Sequence, residues 1–277
     1  PVVPIAYSLT IEPDLDRFTF AGRVRLDLKA AAPVEHIALD SLELAIWHCR
    51  LIQGDIDQDS IDCAFTLNPA EERLTVLFPE AVSGPFQLCI DYMGNINDTM
   101  SGFYRSNITV DDGPDHMAVT QFQESDARRA FPCFDHLAQK AVFTVEMVID
   151  DNLTAISNAD IQTISTPEAG RRRVTFYPTP KMSTYLVFFG VGPFEIHRDE
   201  TDHRVRAVCL PGAGDQTRFG REFGCKALAY GEDYFGIAYP LTKLDLIAVP
   251  DFAFGAMENW GAITFRENLL LDVPGVT

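Results

Sequence analysis

The sequence has few basic residues and no continuous apolar segment long enough to cross a membrane. Lys and Arg number 22 against 40 Asp and Glu in 277 residues, a formal net charge of −18 at pH 7. This charge argues against nucleic acid and anionic lipid surfaces as partners, because both would repel it. No run of about 18 apolar residues is present, so no membrane segment is predicted. With 47% hydrophobic residues, the chain is still too apolar for a disordered acidic segment, and a folded core is expected.

Paired cysteines and common catalytic motifs are also missing. The six cysteines form no C-x-x-C pair, which favours reduced, buried thiols and a cytoplasmic location over a disulfide framework. None of the six histidines begins an H-E-x-x-H motif, and His197 and His203 lie in turn-like polar sequence, so they are interpreted as loop histidines rather than metal ligands. The absence of G-x-S-x-G and of a glycine-rich phosphate loop leaves no predicted serine nucleophile or nucleotide site.

Short alternating segments dominate the sequence as far as Gly192. Arg23–Leu28, Arg73–Phe78 and Ala141–Ile149 each place apolar and polar residues on opposite faces at period two, which is typical of half-buried strands. We therefore predict an antiparallel β-rich domain over residues 1–192. The stretch Lys181–Gly192 is more continuously apolar and predicts a central strand covered on both faces.

The pattern changes over residues 193–277. Aromatic and apolar residues recur every three or four positions from Phe219 to Tyr234, which predicts one amphipathic helix over about 216–235. Asp215 and Thr217 stand where a helix cap is expected. Strands are expected before and after this helix. The chain as a whole is therefore predicted to be mainly β, with a second, β-rich region that contains one helix.

One segment of the second region combines small residues with a charged side chain. Phe254-Gly-Ala-Met-Glu-Asn-Trp-Gly261 follows a strand and a Pro-Asp turn. Gly255 and Ala256 leave main-chain N–H and C=O groups accessible, so an extended peptide could pair with them as an added strand. Glu258 would then meet a cation on that peptide. Taken alone, the segment is also explained by an ordinary edge strand with a surface glutamate.

Three further segments accompany this motif: Gly94–Ser106, Thr120–Asp135 and Met182–Phe188. Together with Gly255–Gly261, they resemble in the same order the motifs of the aminopeptidase N family of zinc aminopeptidases, the gluzincins. The first 90 or so residues match only as a β-rich lead-in. The resemblance implies a large saddle-like β-sandwich over the first domain, followed by the start of a thermolysin-like α+β catalytic domain.

The resemblance also implies a site for the free N-terminus of a peptide. The implied substrate-binding residues are Gln121, Gln123, Gly255, Ala256, Met257, Glu258 and Asn259. In the family, the position of Glu258 binds the α-ammonium together with side chains of the Thr120–Asp135 segment. Glu124 ranks below Gln123 there, because strand alternation would direct it to the opposite face. Met257 and Phe122 are candidate walls for the first side chain of the substrate.

Zinc is implied for the full-length protein, yet the family's H-E-x-x-H helix, its third glutamate ligand and its catalytic tyrosine all follow the Glu258 motif and lie beyond Thr277. We therefore expect this fragment to hold no metal and no catalytic residue, and to be inactive by itself. The full-length protein would remove the N-terminal residue of peptides. The alternatives are a non-catalytic peptide-binding module and a purely structural β-domain. An incomplete catalytic domain should also leave an apolar face uncovered around Phe265–Leu271.

Overall fold

The computed structural model describes residues 2–52, 60–110 and 113–272, and these are mainly β, as the alternation predicts. The strands of the first part are β1 (Val2–Asp14), β2 (Thr19–Asp40), β3 (Ala45–Ile52), β4 (Ser60–Asp62), β5 (Ala64–Asn68), β6 (Arg73–Asn95), β7 (Gly102–Val110), β8 (Gly113–Gln121), β9 (Val142–Asp150), β10 (Thr154–Ser157), β11 (Ile161–Ser165), β12 (Arg171–Phe176) and β13 (Phe189–Gly192). The remaining elements are β14 (Glu195–Arg198), β15 (Val205–Cys209), α1 (Arg218–Phe235), β16 (Leu244–Val249), β17 (Ala256–Met257), β18 (Ala262–Arg266) and α2 (Glu267–Leu270).

The first thirteen strands form two sheets that share one apolar core. The nine-stranded sheet has the order β11-β12-β9-β1-β2-β6-β3-β4, with β5 also paired to β6, and the four-stranded sheet has the order β10-β13-β8-β7. Pairing is antiparallel as expected, except that β1 and β9 are parallel. In β1, Tyr7, Leu9 and Ile11 are buried at period two, and the Tyr7 ring stacks on Phe143 at a centroid distance of 4.8 Å. This alternation fixes which face of each strand enters the core.

The segment expected to be one central strand, Lys181–Gly192, is only partly a strand. A 3₁₀ turn occupies Thr184–Leu186, and β13 supplies the last four residues, buried and placed between β10 and β8. The Asn158 side chain explains the break, because its Nδ2 donates to the Leu186 carbonyl and its Oδ1 accepts from the Phe188 amide, both at 2.8 Å. These backbone groups are satisfied by a side chain instead of a neighbouring strand.

The last five strands form a mixed sheet with the order β14-β15-β16-β18-β17. Its three central strands are parallel and its two edge strands are antiparallel to their neighbours. The predicted helix is confirmed as α1, preceded by a 3₁₀ turn at Gly214–Thr217. Thr217 occupies the N-cap position of α1 as predicted, but its side chain makes no capping hydrogen bond. Its backbone angles are already helical, and its hydroxyl donates to the Gly214 carbonyl at 2.6 Å. No helix in the described residues is long and apolar enough to cross a membrane.

The aromatic stripe of α1 is exposed and is not the helix face that packs on the sheet. Phe219 and Phe223 are 67% and 61% exposed, whereas Gly220, Gly224 and Leu228 are buried. Glycine on the buried face lets the helix approach the sheet, since a Cβ on Gly224 would lie 2.9 Å from Leu246 Cδ1. Phe219, Phe223 and Ala227 of this stripe line an apolar groove of about 1280 Å³ together with side chains of the five-stranded sheet.

The sequence predicts an uncovered apolar face around Phe265–Leu271, and the lining of this groove shows how far these residues are exposed. Leu269 lines it and is 62% exposed, but Leu270 and Leu271 are each only 7% exposed. The exposed apolar surface is therefore formed mainly by α1, which the sequence pattern did not single out.

The orientation of α1 predicts opposite outcomes for two substitutions. Phe223→Gln should change the free energy of unfolding by less than about 0.5 kcal/mol, the usual range for exposed positions. Leu228→Ala on the buried face should cost about 2–4 kcal/mol through the lost contacts and the cavity. Denaturant unfolding of both variants at dilute, monomeric concentration checks this, and equal losses would contradict the orientation.

Candidate functional site

The Gly255–Gly261 motif forms the free edge of the five-stranded sheet. β17 is the last strand in the sheet order and pairs only with β18 among the described residues, with Ala256 opposite Phe265. The Arg266 amide donates to the Gly255 carbonyl at 3.0 Å. Because successive residues of a strand direct their N–H and C=O groups to opposite sides, those of Ala256 point away from β18. Within the part of the chain that the structure describes, exposed Ala256 thus presents an open main-chain donor and acceptor.

The turn before β17 is fixed to β7 by Asp251. Its carboxylate accepts from the Ser106 hydroxyl at 3.2 Å and from the Asn107 amide at 2.9 Å, and its carbonyl accepts from the Tyr104 hydroxyl at 2.8 Å. The Arg266 guanidinium donates to two carbonyls of the same turn, at 2.8 and 3.1 Å. The edge strand is therefore held at a defined position against the four-stranded sheet.

The residues of the motif alternate between solvent and core. Ala256, Glu258 and Trp260 are exposed, while Met257 and Asn259 are each 1% exposed. The Asn259 amide group faces Thr264 Oγ1 at 3.4 Å inside the sheet. Of the predicted motif residues, the structure thus presents Gly255, Ala256 and Glu258 to solvent and places the Met257 and Asn259 side chains inside.

Among the described residues, the one side-chain hydrogen-bond partner of Glu258 is Tyr185, whose hydroxyl donates to Glu258 Oε1 at 3.4 Å. Partial burial, followed by the negative charge of Glu258, raises the pKa of Tyr185, so the hydroxyl keeps its proton at neutral pH. Sequence reasoning did not name Tyr185 as a site residue, although it lies in the Met182–Phe188 segment that carries part of the family resemblance.

The two predicted glutamines lie at the end of β8. Gln121 is 2% exposed, and neither its Nε2 nor its Oε1 has a hydrogen-bond partner in the described structure. Gln123 and Glu124 both lie in the turn after β8 and are exposed. The strand argument that ranked Gln123 above Glu124 is therefore wrong, because the strand ends at Gln121. No hydrogen bond among the described residues joins either glutamine to Glu258.

Phe122, the other candidate wall, is fully buried. Its ring packs edge-to-face against Phe131 and Phe189 at 5.9 and 6.0 Å between centroids. In this structure Phe122 is a core residue, and its ring is not available to a substrate.

A buried lysine fixes the other end of the motif. Lys243 Nζ donates to the Ser157 carbonyl at 2.5 Å, to the Gly261 carbonyl at 2.6 Å and to Asp245 Oδ2 at 2.8 Å. Arg206 donates to both oxygens of Asp245, at 2.6 and 2.9 Å. Burial alone would raise the pKa of Asp245, but the charges of Lys243 and Arg206 outweigh it and hold that pKa below its usual value.

Matches to known families agree with the motif assignment. The Peptidase M1 N-terminal domain matches residues 3–186, and the Peptidase family M1 domain matches residues 219–277. The chain therefore belongs to the M1 family of peptidases, whose aminopeptidase N-like members the four motifs resemble.

Its relatives are aminopeptidases. The chain is 38% identical over 283 residues to puromycin-sensitive aminopeptidase of Caenorhabditis elegans, covering 99% of the chain and 29% of the relative. It is 38% identical over 274 residues to aminopeptidase M1 of Arabidopsis thaliana, covering 97% and 31%, and 37% identical over 276 residues to human endoplasmic reticulum aminopeptidase 1, covering 98% and 29%. The chain thus spans about three tenths of the length of these relatives.

The residues of this chain do not fit the catalytic zinc of such an enzyme. H-E-x-x-H is missing, and the one set of at least three metal-ligand side chains within the described residues is Glu195, His197 and Cys209. This set lies on β14 and β15, at the edge of the sheet opposite β17. Strands about 4.8 Å apart put roughly 19 Å between the two edges, so no reaction step at Glu258 is assigned to this set.

The close approach at Gly261 predicts a severe effect of adding a methyl group. Gly261 has φ +72°, and a Cβ there would lie 2.2 Å from the Asn158 carbonyl oxygen. Gly212 has a similar φ of +81° with nothing within 4 Å of its Cβ position, so it serves as the control for backbone strain. Gly212→Ala should cost about 1–2 kcal/mol and Gly261→Ala at least about 3 kcal/mol. Chemical denaturation of both variants measures the difference, and equal losses would show that Gly261 does not approach Asn158 so closely.

Loss of the buried ammonium should also be costly. Lys243→Met keeps most of the side-chain volume but leaves two buried carbonyls and one side of Asp245 without a partner, so we expect a loss of about 3–5 kcal/mol in the free energy of unfolding. Lys226→Met on the exposed surface of α1 makes the same chemical change and should be nearly neutral. If both variants lose the same free energy of unfolding, the ammonium does not hold the four-stranded and five-stranded sheets together.

Proposed function

We propose that this chain supplies the amine-recognition part of a zinc-dependent aminopeptidase that removes the N-terminal residue of peptides. One observation carries the proposal: an exposed carboxylate, Glu258, follows an open backbone edge at Ala256 in a member of the M1 peptidase family. The aminopeptidase names of the relatives support the reaction. The substrate class is peptides with a free N-terminus.

The open edge supports a specific mode of peptide binding. The Gly255 carbonyl already accepts from Arg266, so the main chain of Ala256 is the group left to pair with an extended peptide. Glu258, two residues further on the same exposed side, would accept hydrogen bonds from the peptide's α-ammonium. A charged end stop of this kind fixes which peptide bond lies next to the reacting group.

The glutamines complete the proposed site. Thr120, the residue before Gln121, accepts through its hydroxyl from the Phe189 amide at 3.1 Å. Tyr185, four residues before Phe189, contacts Glu258. The short segment 185–189 therefore links the end of β8 to Glu258. The unpartnered amide of Gln121 supports a ligand-binding role, since a buried amide without a partner costs about 1–3 kcal/mol. We propose Gln121 and Gln123 as additional ammonium ligands.

The zinc ligands and the general base of the full-length enzyme are proposed to lie outside this chain, which would be inactive alone. We place the boundary between its two domains after Gly192, because β13 pairs within the four-stranded sheet and β14 within the five-stranded one. The six cysteines are free and buried, which supports the proposed cytoplasmic location. The alternative is a non-catalytic peptide-binding module, and a reading frame that continues into an intact H-E-x-x-H would exclude it.

Amine recognition by Glu258 can be tested on this chain through tryptophan fluorescence. Trp260 is 39% exposed and lines the same groove as Glu258. The sequence has two tryptophans, so Trp47→Phe leaves Trp260 as the single reporter. A short peptide with a free N-terminus should bind about 10–100-fold more tightly than its N-acetylated form, the range for a hydrogen bond to a charged group. Glu258→Gln should abolish this preference.

The control for the charge change is Glu222→Gln on the exposed surface of α1, which should keep the preference. In a full-length enzyme that contains this chain, Glu258→Ala should cost about 2–5 kcal/mol in transition-state binding, measured as kcat/KM on amino-acid amides. Unchanged kcat/KM, or equal binding of the free and acetylated peptides by the unsubstituted chain, would contradict the role of Glu258.

A further inference from the structure

The hairpin of β14 and β15 brings three different metal-ligand side chains to one face. Glu195 lies directly opposite Cys209 in the antiparallel register, and His197 follows two residues later on the same side of its strand. A His197 nitrogen, the Cys209 sulfur and a Glu195 carboxylate oxygen all lie within 4.8 Å of one another. A nitrogen, a thiol sulfur and a carboxylate oxygen are the donors that zinc prefers in proteins.

We propose that Glu195, His197 and Cys209 bind a single zinc ion, with water as the fourth ligand. This proposal replaces the expectation that the fragment holds no metal. It is independent of the peptide site, because β14 and β17 are the two opposite edges of the sheet.

The geometry suits an ion that enters from solvent. Cys209 is fully buried at the base of the set, while the Glu195 and His197 side chains are 44% and 35% exposed. His197 Nε2 and Glu195 Oε2 lie 3.2 Å apart. Zinc–ligand bonds of 2.0–2.3 Å in a tetrahedron require ligand separations of roughly 3.5 Å. Because the donor atoms all lie within 4.8 Å of one another, they need to approach by at most about 1.3 Å to reach this separation. The partly exposed Glu195 side chain is free to change rotamer toward the ion.

The imidazole is held in position by a glycine. A Cβ on Gly214 would lie 2.3 Å from His197 Cε1, so the Gly214 backbone packs directly on the ring and a larger residue would displace it. His203, the other histidine of this region, hydrogen-bonds through Nδ1 to the Asp199 carbonyl at 2.8 Å and does not join the set.

Binding must displace a proton from the thiol. Burial and then the charge of Glu195 raise the pKa of Cys209 to about 11, with Arg221 acting in the opposite direction. The thiol is thus protonated in the metal-free chain at neutral pH, and its proton passes to solvent as the Zn–S bond forms. The resulting thiolate and the carboxylate supply two negative charges to a divalent ion.

Cobalt is a suitable probe, since a cobalt–thiolate bond gives a near-ultraviolet charge-transfer band that neither carboxylate nor imidazole produces. The reduced 277-residue chain should bind a single Co²⁺ with this band, and Zn²⁺ should displace it. Cys209→Ser should abolish the band, and His197→Gln should weaken Zn²⁺ binding at least about 100-fold in competition with a chromophoric chelator. Cys225→Ser and His203→Gln are the matched controls and should leave both readouts unchanged.

Thermal unfolding of each variant without metal separates loss of a ligand from loss of the fold. His197→Gln at a partly exposed position keeps the test valid even if Cys209→Ser does not fold. The proposal is overturned if the chain binds no Co²⁺ or Zn²⁺, if the band persists in Cys209→Ser, or if His203→Gln weakens binding as much as His197→Gln.

Discussion

The arrangement of the candidate site depends on one buried ammonium group. Lys243 is 1% exposed, and removal of such a charge from water is tolerated only when strong partners replace the lost hydration. Its partners are carbonyls of Ser157 in the four-stranded sheet and Gly261 at the end of the motif, together with Asp245. The ammonium therefore ties the turn after β17 to the other sheet. Neither sheet alone supplies all of the partners that fix this turn.

The same constraint explains the composition of the motif. With Asp251 fixed to β7 and Gly261 fixed to Lys243, the short edge strand between them has a set register, and period-two alternation decides the role of each residue. Ala256 and Glu258 face solvent, while Met257 and Asn259 fill the core side. A two-residue edge strand also exposes little unpaired backbone, so the edge can accept a peptide without offering a long template for aggregation.

Period two and period 3.6 predicted most strands and the position of α1, because both patterns are local. They did not predict which face of α1 is buried, since that depends on Gly220 and Gly224, whose lack of side chain matters only once Leu270 and Leu246 lie opposite. Strand alternation also gave no valid orientation for the Glu124 side chain, because Glu124 lies beyond the end of β8. The motif resemblance located Glu258, but the link to Tyr185 joins residues 73 positions apart and has no local signal.

Cross-strand register also explains why the sequence pattern did not predict the set of Glu195, His197 and Cys209. Helical metal motifs are found by fixed short spacings, whereas the spacing between strand ligands depends on the loop between them. Here a charged turn joins β14 and β15. Glu195 and Cys209 are neighbours in space because of strand pairing, but their separation along the sequence matches no known metal-binding motif. The net charge of −18 attracts any cation to the surface but cannot choose between an ammonium and a metal ion. Local chemistry decides which cation binds where. Glu258 beside the open backbone edge of β17 suits an ammonium, and the Cys209 thiol with the His197 imidazole at the opposite edge of the sheet suits a metal ion.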